Sequence, residues 1–345
     1  MLSQTIVNIL IEKLGNKSKK TEAEHYIQRF RTWQISGYYG GVHIINISKL
    51  STEDTIKEIE EIVFNKSEDH LVPNIENFTD KEFNDLKFLI EGESKIVRKY
   101  NDKLNIIRYK ASVYSHKMQR GGNVDGTDYE RISVTKNILD IFSRHCIKHT
   151  YLSIGKQYIL SESINIETDI PPIEVIVKRC FIGSDKHRYY GMEKVKTRFG
   201  TPLVSEELKE YPEILVRYDY RNPNFHPETG IPIGDMLICD DLADQLINVE
   251  VSKKAAKHIF RVLMEHFEKM NIYMQDICLM LTVDGDKLYG EVSQDCGRYK
   301  YKHEHTLTDL DKDIWRAGGS SDLVLEKYKK LTSLVKAHVR SLYEN

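Results

Sequence analysis

From Leu86 onward the chain alternates short apolar or β-branched runs with turn residues and sets amphipathic helical stretches between them, a rhythm that restricts it to an α+β fold. Strands are expected at 88–91, 96–100 and 104–109, and Asn101-Asp102 supplies turn chemistry between the last two, so this part should be an antiparallel meander. Residues 131–145 place Ile132, Ile138, Leu139, Ile141 and Phe142 at helical spacing. Further strands are expected at 158–161, 173–180, 277–283 and 287–292, the last two joined by the strong turn signal Asp284-Gly285-Asp286. The stretch 202–232, rich in Pro and Asn, reads as irregular; helices over 252–270 and 323–342 complete the pattern.

At 345 residues the chain exceeds one ordinary hydrophobic core, so more than one lobe is expected. The division is an extension over 1–85, a small lobe over 86–165 and a larger lobe over 166–345, with a ligand cleft between the lobes. The extension is mixed: helices at 2–14, 21–33 and 51–63, and a strand or hairpin at 37–45. Its Tyr38-Tyr39-Gly40-Gly41 run could cradle a phosphate, but paired glycines between strand-like residues more often make a tight turn. The extension could serve as a cap or as a contact in a homo-oligomer.

Fifty basic against 52 acidic residues give a formal net charge of -2, which removes any global attraction to nucleic acid or to an anionic membrane. Any phosphate site must be local. The apolar runs are far shorter than the roughly 20 residues that span a bilayer, and no secretory leader pattern opens the chain, so a cytoplasmic location is expected. The five cysteines (Cys146, Cys180, Cys239, Cys278, Cys296) are scattered without metal-site spacing and read as reduced thiols.

Three segments place charged groups where a strand gives way to a turn. The first runs from Pro171 through Lys178 and Arg179 to Gly183-Ser184 and Arg188: a strand delivers two cations to a Gly-Ser turn able to hold a phosphate. The second contains Glu291, Asp295 and Arg298; its carboxylates could hold magnesium or orient an amine, while the arginine could grip an anion. The third, Leu310-Asp311-Lys312-Asp313-Ile314-Trp315-Arg316, reads alone as the acidic start of a helix. Taken singly, each has a plain alternative as a solvated loop, a surface ion pair or a helix cap.

In order and together, these segments resemble the SAICAR synthetase (phosphoribosylaminoimidazole-succinocarboxamide synthase) family. Glu174 to Ser184 is similar to its strand E-V-V-V-R-N followed by A-G-S, Gly290 to Arg298 to its D-E-x-S-P-D-x-x-R, and Leu310 to Arg316 to its L-D-K-D-x-F-R. Glu91-Gly92-Glu93-Ser94-Lys95 is similar to its opening E-G-K-x-K strand, and 147–152 to the stretch that ends its first helix. The resemblance implies a two-lobed α+β fold and a ligase that uses ATP and Mg2+ to join CAIR (carboxyaminoimidazole ribonucleotide) to L-aspartate. It further implies phosphate ligands among Ser184, Lys178, Arg179, Arg188, Arg298 and Arg316, and ATP contacts from Lys95, Lys117 and Arg120. Glu291 and Asp295 would serve catalysis, and Glu291 and Asp276 would hold the metal.

Four departures fall on the ATP side. Glu93 replaces a lysine, Cys278 and Met280 replace the lysine and glutamate of D-x-K-x-E-F-G, Gly290 replaces an aspartate, and 109–117 lacks the acids of F-K-D-D-A-T-A-F-N. The resemblance therefore admits a ligase with a rebuilt ATP site, a different nucleotide-directed ligase or kinase, or a nucleotide-binding protein without catalysis.

Overall fold

The structure, a computed structural model, describes residues 35–37, 41–43, 73–115, 120–223, 225–304 and 306–344. The helices expected at 2–14, 21–33 and 51–63 lie outside these residues, and so does Lys117. The chain divides into two compact units, Met1–Thr79 and Asp80–Asn345. In the first, β1 (Ile35–Gly37) pairs antiparallel with β2 (Gly41–His43), Gly37 standing opposite Gly41.

The second unit opens with helix α1 (Asp80–Asp85), which belongs here rather than with the extension because Phe83 is fully buried. Its ring lies 5.1 Å from that of Tyr158, and the Arg108 guanidinium covers it at 4.8 Å. The small lobe then runs β3 (Lys87–Glu91), β4 (Lys95–Lys99), β5 (Leu104–Tyr109), the hairpin β6 (Ser112–Ser115) and β7 (Arg120–Asn123), helix α2 (Thr127–Arg144), β8 (Tyr151–Ile154) and β9 (Tyr158–Glu162). Five of these strands form an antiparallel sheet in the order β3-β4-β5-β9-β8.

The larger lobe contains β10 (Ile173–Cys180), α3 (Asp185–Arg188), β11 (Glu210–Tyr220), β12 (Met236–Ile238), α4 (Asp240–Ala243), α5 (Val249–Glu268), β13 (Ile272–Leu279), β14 (Gly297–His303), β15 (Thr306–Asp309), α6 (Asp313–Arg316) and α7 (Ser321–Glu344). Its six-stranded antiparallel sheet has the order β12-β11-β10-β13-β14-β15. Helix α5 starts where the Asn248 side chain accepts the Val251 N–H at 3.0 Å, satisfying one of the donors that a helix start leaves open.

Two faces of this sheet carry different chemistry because side chains alternate along a strand. Ile173, Val175 and Val177 of β10 are buried together with Tyr218, Ile277, Leu279 and the apolar face of α5 (Ile259, Phe260, Leu263, Phe267). The alternate residues of β10 include Glu174 and Lys178; the register sets Glu174 opposite Asp219 and Lys178 opposite Asp276. Residues directly opposite on a ladder share a face, so one surface of the sheet is polar and its reverse is core.

Three expectations change. The stretch 202–232 is not wholly irregular, since 210–220 forms the 11-residue strand β11. Its side chains alternate weakly and Pro212 interrupts them, which hid the strand. The strand expected at 277–283 begins earlier, at Ile272, and ends at Leu279. Residues 287–292 form no continuous strand: a bridge pairs Leu281 with Leu288, and the chain then leaves the ladder. The turn between them stands, with Gly285 at φ +79°.

Candidate functional site

The polar face of the larger sheet ends in a network of cations and carboxylates. Lys178, almost fully buried, donates to the Ile182 carbonyl at 2.7 Å and lies 3.2 Å from Asp185 and 3.5 Å from Asp276. Burial lowers the pKa of its ammonium, and Asp276 and Asp185 oppose that shift. On the next strand but one, Arg298 Nη1 donates to Asp276 Oδ2 at 2.6 Å, and its Nε donates to Asp313 at 3.1 Å. Burial works against the charged form of Arg298, yet Asp276 and Asp313 outweigh it and raise its pKa. Asp313 also accepts from Arg316 Nη1, so one carboxylate bridges two arginines brought from β14 and α6.

The Gly-Ser turn closes onto the same arginine. Gly183 has φ +65°, and a Cβ there would stand 2.7 Å from Arg298 Nη2, so only glycine allows the turn this close to the guanidinium. Ser184 follows; its Oγ accepts from Arg217 Nη2 at 2.6 Å, which leaves the hydroxyl proton available to donate. Arg217 also bonds Asp185 and reaches Asp219 at 3.1 Å, and Arg188 grips Asp219 through two 2.9 Å contacts from one nitrogen. Lys178, Ser184, Arg188, Arg298 and Arg316 are therefore parts of one network. Its five cations (Lys178, Arg188, Arg217, Arg298, Arg316) face four carboxylates (Asp185, Asp219, Asp276, Asp313), leaving one net positive charge.

Arg179 is left out of this network. Alternation turns it to the opposite face, where it pairs with Glu210 at 2.7 Å and Glu268 at 3.0 Å and covers the Tyr273 ring. Arg120 is also committed elsewhere: its guanidinium donates to the carbonyls of Trp315 at 2.8 Å and Gly319 at 3.0 Å and stacks on the Trp315 ring. It holds β7 against α6. Lys95 is half-buried, and its ammonium makes no hydrogen bond or ion pair among the described residues. Burial lowers its pKa, with the Glu291 charge opposing.

The expected acids have partners. Both oxygens of Glu291 receive Arg131, from Nε and Nη2 at 2.6 Å each, in a pair where the arginine is wholly buried. Arg131 also donates to the Lys110 carbonyl at 2.9 Å within its own lobe, while its pair with Glu291 ties that lobe to the larger one. Asp295 accepts from Lys312 and from the Tyr328 hydroxyl, each at 3.1 Å. Burial favours its neutral form, yet Lys312 and Arg131 hold its pKa low. Asp309, Asp311 and Asp313 lie close together, but Lys300, Arg298 and Arg316 neutralise the outer two, and Asp311 accepts backbone N–H groups from Tyr299 and Asp313.

The donor set expected for magnesium does not fit a divalent ion. Glu291 is saturated by Arg131, Asp276 Oδ2 is shared by Arg298 and Lys178, and a Cβ on Gly290 would meet the Met280 Cβ at 2.4 Å. A hard oxygen-seeking cation finds a thioether side chain packed on bare backbone there.

Arg131 and Arg217 were not foreseen. An arginine on an apolar helix face reads as a solvent residue, and Arg217 lies in the strand that the sequence concealed. Lys178 and Asp276, nearly a hundred residues apart in sequence yet opposite each other on neighbouring strands, carry a signal only once the register is known.

With this geometry in view, the comparisons with known proteins agree on one group. The family model described as SAICAR synthetase matches residues 88–332. A bifunctional cordycepin biosynthesis cluster protein of Cordyceps militaris is 29% identical over 75% of this chain, which spans only 34% of that relative's length. A phosphoribosylaminoimidazole-succinocarboxamide synthase of Methanocaldococcus jannaschii is 25% identical over 70% of this chain and 91% of its own. A solved SAICAR synthetase in complex with ADP superposes with a TM-score of 0.57 at 22% identity, covering 72% of this chain and 97% of the other, and so shares the fold.

Proposed function

The chain belongs to the SAICAR synthetase family, and from that premise we propose that it is an ATP-dependent ligase joining the carboxylate of CAIR to the amine of L-aspartate. The observation that carries this reading is the convergence of Ser184, Arg298 and Arg316 around Gly183 and Asp313, which offers a sugar 5′-phosphate a hydroxyl donor and guanidinium forks in one place. Lys178 and Arg188 belong to the same network through Asp185, Asp276 and Asp219.

In the proposed reaction the CAIR carboxylate attacks the γ-phosphorus of ATP, the bond to the bridging oxygen breaks and ADP leaves. The aspartate amine then attacks the acyl phosphate carbon, inorganic phosphate departs with the electron pair of its C–O bond, and the amine gives up a proton as the amide forms. Lys95, on β4 and without a hydrogen-bond or ion-pair partner among the described residues, is assigned to the ATP phosphates. Asp295, kept ionised beside Lys312, is assigned to receive the amine proton directly or through water. Cytoplasmic location and turnover without nucleic-acid or membrane partners belong to the same proposal; among the described residues no helix is long and apolar enough to cross a membrane.

A second reading keeps the phosphate network but changes the acceptor: transfer of a phosphoryl group to another group on a nucleotide. The Met280–Gly290 contact, which puts no carboxylate where the family's motifs carry glutamate and aspartate, favours it. Incubating the protein with ATP, CAIR and L-aspartate separates the two. Equal amounts of SAICAR, ADP and phosphate support the ligase; ADP release that ignores aspartate supports the second reading, and neither product counts against both.

A further inference from the structure

We infer that this cleft holds nucleotide phosphates through basic side chains, without a divalent cation at the carboxylate positions that the family resemblance implies. The inference rests on the ATP-using reading above and concerns how the phosphates are neutralised.

Three independent features support it. First, Met280 occupies the space beside Gly290: an added Cβ would lie 2.4 Å from the Met280 Cβ and 2.6 Å from its Cγ. Neither side chain can offer an oxygen, and a thioether is a poor ligand for a hard ion that requires about six oxygens in near-octahedral array. Second, the nearby acid Glu291 is already neutralised by the buried Arg131 in a two-point contact, and its Oε1 accepts a further bond from Ser293. A metal would have to displace a fully buried arginine, which would strand that charge without a partner.

Third, positive groups at the same place await an anion. The Lys95 ammonium has no bonded partner among the described residues and senses Glu291, Cys296, Arg221 and Arg131. Arg221 Nε is a buried donor that meets no acceptor. That orphaned buried donor carries a desolvation cost that an entering phosphate oxygen would relieve. Lys95 and Arg221 thus supply to a polyphosphate the charge that a metal otherwise brings.

Titrating the full chain with ADP, once with excess magnesium chloride and once with EDTA, tests this. The two dissociation constants should agree within about threefold. A tightening of about tenfold or more with magnesium would overturn the inference. The double variant Met280→Glu/Gly290→Asp should acquire such a dependence; if it does not fold, the unmodified chain decides alone. A manganese titration read by electron paramagnetic resonance gives a second measurement: no protein-bound ion is expected beyond that carried by free Mn-ADP, and a distinct bound signal would contradict the inference. Failure to bind ADP in either buffer would instead remove the ATP-using reading itself.

Discussion

Arg131 and Glu291 meet through two 2.6 Å hydrogen bonds in a pair that water hardly reaches, the arginine coming from the helix of the small lobe and the glutamate from the larger lobe. Removing one partner strands a buried charge, so Arg131→Met alone should destabilise the chain by about 3 to 5 kcal/mol. The double variant Arg131→Met/Glu291→Leu should recover most of that loss. Urea unfolding of the single and double variants checks it; additive losses would show that the two residues are not coupled.

The turn at Gly285 gives a second expectation. With φ +79° and a Cβ position 2.7 Å from the Ser252 amide nitrogen and 2.8 Å from the Asn248 carbonyl oxygen, alanine would both strain the backbone and push on the start of α5. Gly285→Ala should cost about 2 to 4 kcal/mol, read as a lowered melting temperature. A shift within the error of the measurement would mean that the turn relaxes freely.

Gly183 separates binding from folding. Alanine there meets the Arg298 guanidinium at 2.7 Å, so Gly183→Ala should move that side chain and weaken imidazole ribonucleotide binding by about 10- to 100-fold. Arg298→Ala should weaken it by about 2 to 5 kcal/mol, because a charge-assisted contact to a largely buried guanidinium is lost. Calorimetric titration of both variants gives the numbers, and unchanged affinity in both would remove Arg298 from the phosphate site.

A chain of three imidazoles predicts the acid response. His266 Nε2 lies 3.0 Å from His145 Nε2, and its Nδ1 lies 2.8 Å from His338 Nε2. Burial, then the neighbouring His338 and Lys269, push the His266 pKa down to about 4, while burial also takes His149 to about 4. The unfolded chain binds protons at these histidines near pH 6.5, whereas the folded chain stays neutral there until about pH 4. Stability should therefore fall as pH drops through that window. His266→Gln should flatten the fall by about 1 to 3 kcal/mol in denaturant titrations at pH 7 and 4.5, and an unchanged slope would discard His266 as a contributor.

Much of the architecture was legible because local chemistry and fold agree. The apolar residues of β10, the Asp284-Gly285 turn and the apolar face of α2 all mark elements that form where the pattern places them, while α5 starts three residues before its expected 252, at the cap Asn248. That Ser184, Arg298 and Arg316 share one polar network was suggested only by the resemblance, since they are far apart in sequence. What escaped has physical causes. Arg120 and Arg179 look like ligands in one dimension, yet carbonyls at 315 and 319 and the acids Glu210 and Glu268 use their charges. Residues 287–292 alternate like a strand, but Gly290 pressed under Met280 lets the chain leave the sheet.

The most direct measurement is a crystal structure of the protein grown with CAIR. The account predicts the 5′-phosphate within about 3 Å of the Ser184 hydroxyl and of the Arg298 and Arg316 guanidinium groups. A ribotide bound with its phosphate away from all three, or absent at saturating concentration, would contradict it.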